Sequence, residues 1–171
     1  MGEVTGIRPP EPLGENHRLE SFSCGEASLD DWLRKRARAN QASGASRTYV
    51  VCQGDLVIGY YALASGTITV ESAPGRFRRN MPDPFPVAGL ARLAVDRNWQ
   101  GQGIGRALFR DAALRVAHAA DVIGIRGIVV QAISEEAKSF YIALGFDPSL
   151  REPITLMVTL RDVRAVLSGH S

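Results

Sequence analysis

Two cysteines in 171 residues are too few to found a disulfide framework. Cys24 and Cys52 make no CxxC pair, so two free thiols in a reducing cytoplasm are expected. His17, His118 and His170 show no metal-ligand spacing, which favours surface or capping roles and no metal. No apolar run approaches the roughly 20 residues of a bilayer-spanning helix, so no membrane partner is expected. The N-terminus carries prolines and glutamates where an export signal has a basic segment and then an apolar one. Internal repeats and low-complexity tracts are missing as well. What is left is a chain with 45% hydrophobic and 22% charged residues, ordinary for one globular domain spanning 1–171. Residues 1–15 read as a loose lead-in and 161–171 as a C-terminal tail.

The net charge of +2 hides an asymmetry. Residues 1–33 hold two Arg and seven acids, residues 34–110 hold twelve Lys or Arg against four acids, and residues 111–171 hold six against seven. A basic middle block either meets an anionic partner or is a solvated face.

Hydrophobic periodicity predicts a mixed α/β order. A short strand is expected near Arg18 to Phe22. Ser28, with Asp31 three positions on, resembles a capping box that opens one helix through about Gln41. Leu29, Trp32, Leu33 and Ala37 line its apolar face, with Arg34, Lys35, Arg36 and Arg38 on the others. Thr48 to Cys52 and Leu56 to Ala64 read as hairpin strands about a Gly54-Asp55 turn, and Thr67 to Val70 as a further strand. Glu71 to Pro86 holds four of the nine prolines and reads as a long functional loop. Val87 to Val95 is the central strand. A helix from about Gly105 to Ala120 turns Ala107, Leu108, Ala112, Leu114 and Ala117 inward. Gly127 to Ile133 is a buried strand, Ser134 caps a helix through Leu144, and Ile154 to Leu160 closes the sheet.

Between the central strand and the following helix lies Arg97-Asn98-Trp99-Gln100-Gly101-Gln102-Gly103-Ile104-Gly105-Arg106. Glycines at alternate positions let an anion approach the backbone, and the first helical turn directs free N–H groups and its dipole towards it. Arg97 and Arg106 add charge. The alternative is a tight turn that merely ends a strand. A Walker loop needs Lys and Ser or Thr after the last glycine, where Arg106 and Ala107 stand. The dinucleotide fingerprint needs a glycine at 106.

The remaining pattern, Gln100-x-x-Gly103-x-Gly105, resembles the acetyl-CoA pyrophosphate loop of the GNAT N-acetyltransferases. Ala137-Lys138-Ser139-Phe140-Tyr141-Ile142-Ala143-Leu144-Gly145-Phe146 resembles the second signature of that superfamily. The segments Leu29 to Leu33, Gly44 to Thr48, Gly75 to Pro84 and Gly89 to Asp96 narrow the likeness, from roughly Glu11 to Leu160, to the GNAT toxins of bacterial toxin–antitoxin modules. The resemblance implies the GNAT fold: a mixed, mostly antiparallel central sheet with splayed central strands and flanking helices. It implies acetyl-CoA as cosubstrate, no metal, and acetylation of the amino acid on charged tRNA, which blocks translation. Its partners would be aminoacyl-tRNA, a ribbon-helix-helix antitoxin whose complex binds operator DNA, and a second copy in a homodimer.

Carried over residue by residue, the loop Gln100, Gly101, Gln102, Gly103, Ile104, Gly105 and Arg106 would hold CoA. So would Leu93, Ala94 and Val95 on the strand, with the Leu93 N–H a candidate oxyanion donor, and Ser134, where the superfamily often has Asn. Tyr141 corresponds to the tyrosine that protonates the departing thiolate. Adjacent aromatics on a helix do not share a face, so Phe140 is expected to pack and Tyr141 to enter the cleft. Arg76, Arg78, Arg79 and Arg92 would meet tRNA phosphates, with Arg34, Lys35, Arg36 and Arg38 as weaker contributors. The central strand lacks the glutamate base of many GNAT enzymes and has Arg92 instead. That suits an α-amine with a pKa near ~8 better than a lysine near ~10.4, although a water chain to Glu71 or Glu135 stays open. Two other readings remain: a GNAT enzyme for a small-molecule amine or a protein N-terminus, and an idle GNAT domain serving as a DNA-bound repressor partner.

Overall fold

The computed structural model describes residues 7–75 and 82–168. Its elements are β1 (Glu11–Pro12), α1 (Ala27–Lys35), α2 (Ala37–Ser43), β2 (Arg47–Gln53), β3 (Leu56–Ile68), β4 (Phe85–Val95), α3 (Ile104–Ala120), β5 (Gly127–Gln131), α4 (Glu135–Ala143), β6 (Asp147–Pro148), β7 (Thr155–Thr159) and α5 (Leu160–Leu167). Short 3₁₀ turns cover Val70–Ser72 and Arg97–Trp99. The α/β order expected from the sequence is present. The chain falls into two compact units, 1–64 with 92–112 and 65–91 with 113–171.

In the first unit the strand order is β1-β2-β3-β4. β2 and β3 form the expected antiparallel hairpin, closed by Gly54 at φ +61° and Asp55, with Gln53 opposite Leu56. Apolar residues run without alternation along the middle of these strands and are buried on both faces, so one face packs under α1 and α2 and the other under α3. The first face gathers Leu33, Ala37, Val50, Val57, Tyr60 and Ala94 into a closed core. Each fully buried large side chain there contributes about 1.5–3 kcal/mol.

The helix expected over Ser28 to Gln41 is two helices. Arg36, at φ −123° and ψ −27°, breaks the turn between α1 and α2. Glu26, not Ser28, stands at the N-cap of α1, and it makes no side-chain cap. Asp30 of the first turn instead accepts from the Cys24 N–H at 2.9 Å. α2 ends on Gly44 at φ +81°, a left-handed cap. The strand expected at Arg18 to Phe22 is a single bridge, Arg18 to Leu56.

In the second unit the order runs through the ends of β3 and β4 to β5, β7 and β6. β4 and β5 are parallel, joining Ala88 to Ile128 and Gly89 to Val129. β5 and β7 pair antiparallel from Gly127–Thr159 to Gln131–Thr155. A Cβ on Gly127 would stand 2.4 Å from the Val158 carbonyl oxygen, so this ladder tolerates only glycine there. Ala73, Phe85, Val87 and Met157 make its core. β3 runs on to Ile68, so no separate strand forms at Thr67 to Val70. Leu114, expected to face inward from α3, is 37% exposed. Leu160, expected to end the last strand, and residues 161–167 of the expected tail form helix α5, capped by the Thr159 hydroxyl.

Candidate active site

In the first unit β4 ends at Val95, and Asp96 shapes the turn beyond it. One of its carboxylate oxygens accepts from the Asn98 N–H at 3.0 Å, capping the 3₁₀ turn, and the other accepts from the Ser23 N–H at 3.1 Å. The Gln100 amide then donates to the carbonyls of Val95 and Cys24, both at 2.9 Å. Gln100 therefore spends both N–H groups holding the turn in place. Gly101 and Gly103 lie at φ +80° and +85°, a region that L side chains avoid, and a Cβ on either would meet nothing within 4 Å. The loop is open on the side where glycine has removed the side chains.

α3 begins at Ile104, and its first backbone bond runs from the Ala107 N–H to the Gly103 carbonyl at 3.1 Å. The N–H groups of Gly103 to Arg106 precede that bond and lie at the positive end of a 17-residue helix. This is the donor set that a pyrophosphate requires. On β4, Ala94 is buried in the core, whereas Leu93 and Val95 are half-buried beyond the β4–β5 ladder.

Arg92 lies on the face of β4 under α1. Its guanidinium carbon sits 4.4 Å from the centre of the Trp32 ring, and Trp32 stacks on the fully buried Tyr60 at 6.0 Å and 9°. The Tyr60 hydroxyl donates to the Leu29 carbonyl at 2.7 Å. Burial pushes the Tyr60 phenol well above its ordinary value, against a smaller opposing effect of Arg92. Beside this stack is a groove of about 460 Å³ lined by Ser28, Asp31, Trp32, Lys35, Arg36, Asn40 and Arg92.

The four basic residues at positions 34, 35, 36 and 38, in α1, α2 and the break between them, divide sharply. Arg34 donates to the Phe22 carbonyl at 2.6 Å and to Asp31 at 3.3 Å. Arg38 reaches back to the carbonyls of Gly14, Glu15 and His17. These two are braces for the lead-in segment. Lys35 and Arg36 line the groove, and neither pairs with a carboxylate among the described residues.

In the second unit Tyr141 projects from α4. Ser134 caps that helix, its hydroxyl oxygen accepting from the Ala137 N–H at 3.0 Å. Tyr141 is 7% exposed and meets Phe140 and Phe146 edge-on at 5.2 and 5.4 Å. Phe140, expected to pack, is half-buried, and Tyr141 is the more enclosed of the two rings. α4 is short, and the chain turns back at Gly145 to lay Phe146 against Tyr141. Burial pushes the Tyr141 phenol up to about 12, so it stays protonated through neutral pH. Glu71 is exposed and paired with Arg151, and Glu135 is exposed in the first turn of α4. Arg76, Arg78 and Arg79 lie outside the described residues.

The Trp32–Arg92 stack and the structural use of Gln100, Arg34 and Arg38 have no forewarning in the sequence. No local signal ties position 32 to position 92, because the sheet alone brings them together. Among the described residues no group of His, Cys, Asp or Glu assembles to hold a metal ion, and no helix is long and apolar enough to cross a membrane.

Known proteins share both the sequence and the fold. The acetyltransferase (GNAT) domain family matches residues 44–148. A tRNA-acetylating toxin of Mycobacterium tuberculosis is 49% identical over 96% of this chain and 99% of its own length. A probable toxin TacT of Sinorhizobium fredii is 31% identical over 92% of this chain and 93% of its own. Among solved structures, AtaT complexed with acetyl-methionyl-tRNAfMet superposes with a TM-score of 0.87 at 28% identity, covering 94% of this chain and 98% of that one. A KacT mutant superposes at 0.89 and 26% identity, covering 95% and 99%.

Proposed function

Because this chain belongs to the GNAT acetyltransferase family, we propose that it transfers the acetyl group of acetyl-CoA to the α-amine of an aminoacyl-tRNA, and so arrests translation as the toxin of a toxin–antitoxin pair. The observation that carries this reading is the 49% identity, nearly end to end, to a tRNA-acetylating toxin. The likeness to AtaT in complex with acetyl-methionyl-tRNAfMet supports it.

The glycine turn fits the cosubstrate: Gly101 and Gly103 are open, and the N–H groups from Gly103 to Arg106 await an anion. Gln100 fixes the turn; Gln102, Ile104, Gly105 and Arg106 complete it; Leu93, Ala94, Val95 and Ser134 are the further proposed contacts. Acetyl-CoA supplies an activated acyl group and a thiolate that must leave with a proton. Tyr141, protonated at neutral pH, is the proposed donor of that proton, and the Leu93 N–H the proposed donor to the developing oxyanion. An α-amine is partly neutral at cellular pH, so the reaction does not require a strand carboxylate. We propose that Arg76, Arg78, Arg79 and Arg92 meet the phosphates of the RNA.

The partners of this reading are aminoacyl-tRNA, a ribbon-helix-helix antitoxin whose complex binds operator DNA, and a second copy of the chain. Solved complexes of AtaT with the antitoxin AtaR, and of the pair on DNA, support the second. The setting is the cytoplasm, and the chain acts as a single GNAT domain. Incubation with acetyl-CoA and total charged tRNA, followed by mass spectrometry of the released aminoacyl groups, tests the reading. Acetylated aminoacyl esters are expected. Turnover confined to free amines or peptides would replace it with a small-molecule or N-terminal acetyltransferase.

A further inference from the structure

The groove beside α1 combines three features that acetyl transfer alone does not need. Its cations, Lys35, Arg36 and Arg92, face one carboxylate, Asp31, which is already paired with Arg34 at 3.3 Å. Arg92 is not extended into solvent but lies over an indole, 4.4 Å from the ring centre. That indole is held on the buried Tyr60, whose own hydroxyl is tied to the backbone of α1 at Leu29. The result is a planar cation and an aromatic plate, both half-buried and both preorganised, beside two positive charges that pair with no carboxylate among the described residues.

Phosphate alone would be served by mobile surface lysines. A guanidinium packed on an indole loses rotamer freedom and presents a flat π-face, the arrangement on which unpaired nucleobases stack. The volume of about 460 Å³ lies in the lower part of the range for small-ligand sites, roughly 300–1,000 Å³. That suits one nucleotide rather than a duplex.

We propose that this groove takes an unpaired nucleotide at the 3′ end of the RNA substrate: the base stacks on the Trp32–Arg92 pair, and its phosphate meets Lys35 and Arg36. Trp32 is a positioning residue in this arrangement, keeping the Arg92 plane fixed. The inference rests on the proposed RNA substrate and deepens it, since it distinguishes contacts that read an unpaired end from contacts that read charge.

The probe is an RNA hairpin with three unpaired nucleotides at its 3′ end, measured by fluorescence anisotropy against the same hairpin with a blunt end. The native protein should prefer the overhang by about tenfold, the scale of one stacked base. Arg92→Lys keeps the charge and removes the plane, and Trp32→Leu removes the plate; both should abolish the preference for the overhang. Trp32→Phe should restore most of it. Since Trp32→Leu opens the core, Arg92→Lys, half-buried at the groove wall, carries the test if the former fails to fold. No preference in the native protein, or full preference in Arg92→Lys, overturns the proposal. So does competition for the overhang by coenzyme A, which would assign the groove to the cosubstrate's own nucleotide. The parallel acetylation assay separates the two readings. Turnover of charged tRNA without overhang preference removes the groove alone. Overhang preference without turnover removes the reaction and keeps the groove.

Discussion

Gly59 of β3 lies directly beneath Leu108 of α3: a Cβ at position 59 would stand 3.1 Å from Leu108 Cδ1. It would also stand 3.0 Å from Val51 Cγ1 and 3.4 Å from the Ala94 carbonyl. The helix whose N-terminus faces the glycine turn is thus seated on the sheet by a missing methyl. Gly59→Ala should cost about 1–3 kcal/mol through overpacking, lower the melting temperature, and weaken acetyl-CoA binding as α3 lifts. A variant that melts at or above the native temperature would show that this contact relaxes freely.

At Gly103 the backbone conformation and the ligand make separate demands. Gly103→Ala places an L residue at φ +85° and should cost about 1–2 kcal/mol of stability. Gly103→Asp adds a negative charge where the pyrophosphate is proposed to sit, so acetyl-CoA affinity in calorimetry should collapse well beyond the Ala variant. Equal affinities for the two variants would remove the phosphate from this turn.

Tyr141→Phe deletes the proposed proton donor and keeps the ring between Phe140 and Phe146. Acetylation should fall by about 10²–10⁴-fold with acetyl-CoA affinity near native. The phenol, raised by burial from an ordinary 10.0 to about 12, holds its proton more tightly folded than unfolded. Its contribution to stability is complete below pH 10 and is lost as pH climbs towards about 12. The native pH–rate profile should therefore show no limb from Tyr141 in the neutral range, and the Phe variant should lose part of the native protein's alkaline loss of stability, the share of the buried Tyr60 phenol remaining. Full activity in the Phe variant would assign the acid elsewhere.

These outcomes also mark how far the residues alone could be read. The glycine turn was legible because it couples a strand end to a helix start within a few residues, and the Gly54-Asp55 hairpin because its turn chemistry is equally local. The break at Arg36 was not, since neither glycine nor proline announces it. Ser28 misled because Asp30, tied to Cys24, takes over the helix entry. That Tyr141 is the more enclosed ring was not legible either, because Phe146, brought back by Gly145, is what packs on it. The Trp32–Arg92 pair depends on two elements distant in sequence meeting across a sheet, which no local pattern encodes.

The lead-in segment carries a pH-sensitive tie. Glu11 accepts from Arg8 at 3.1 Å and from His17 Nε2 at 2.7 Å, while His17 Nδ1 accepts from the Gly14 N–H at 2.8 Å. The Arg8 hydrogen bond, and next His17, hold the Glu11 carboxyl below its ordinary 4.5. Its stabilisation is present above pH 4.5 and is lost as pH falls through the folded value. Glu11→Gln should flatten the acid side of a urea-unfolding series between about pH 7 and 3, by no more than about 1 kcal/mol at this part-exposed site. An acid limb identical to the native one would show that the tie contributes nothing.

Arg78 and Arg79 test the RNA surface by charge alone. Replacing both with Ala should weaken charged-tRNA binding and reduce the slope of affinity against salt, because fewer counterions are released. Acetyl-CoA affinity should not move. Native affinity and slope in the double variant would place the RNA on other cations.

Three contacts link the glycine turn to the lead-in of α1: Ser23 N–H to Asp96, Arg97 N–H to the Ser23 carbonyl at 2.8 Å, and Gln100 to the Cys24 carbonyl. Segments 73 residues apart should consequently open to solvent as one exchange unit. Whatever quiets the turn should also quiet the root of the helix that bears Trp32, so a ligand on the turn and order in the groove proposed for a nucleotide should be thermodynamically linked through these hydrogen bonds.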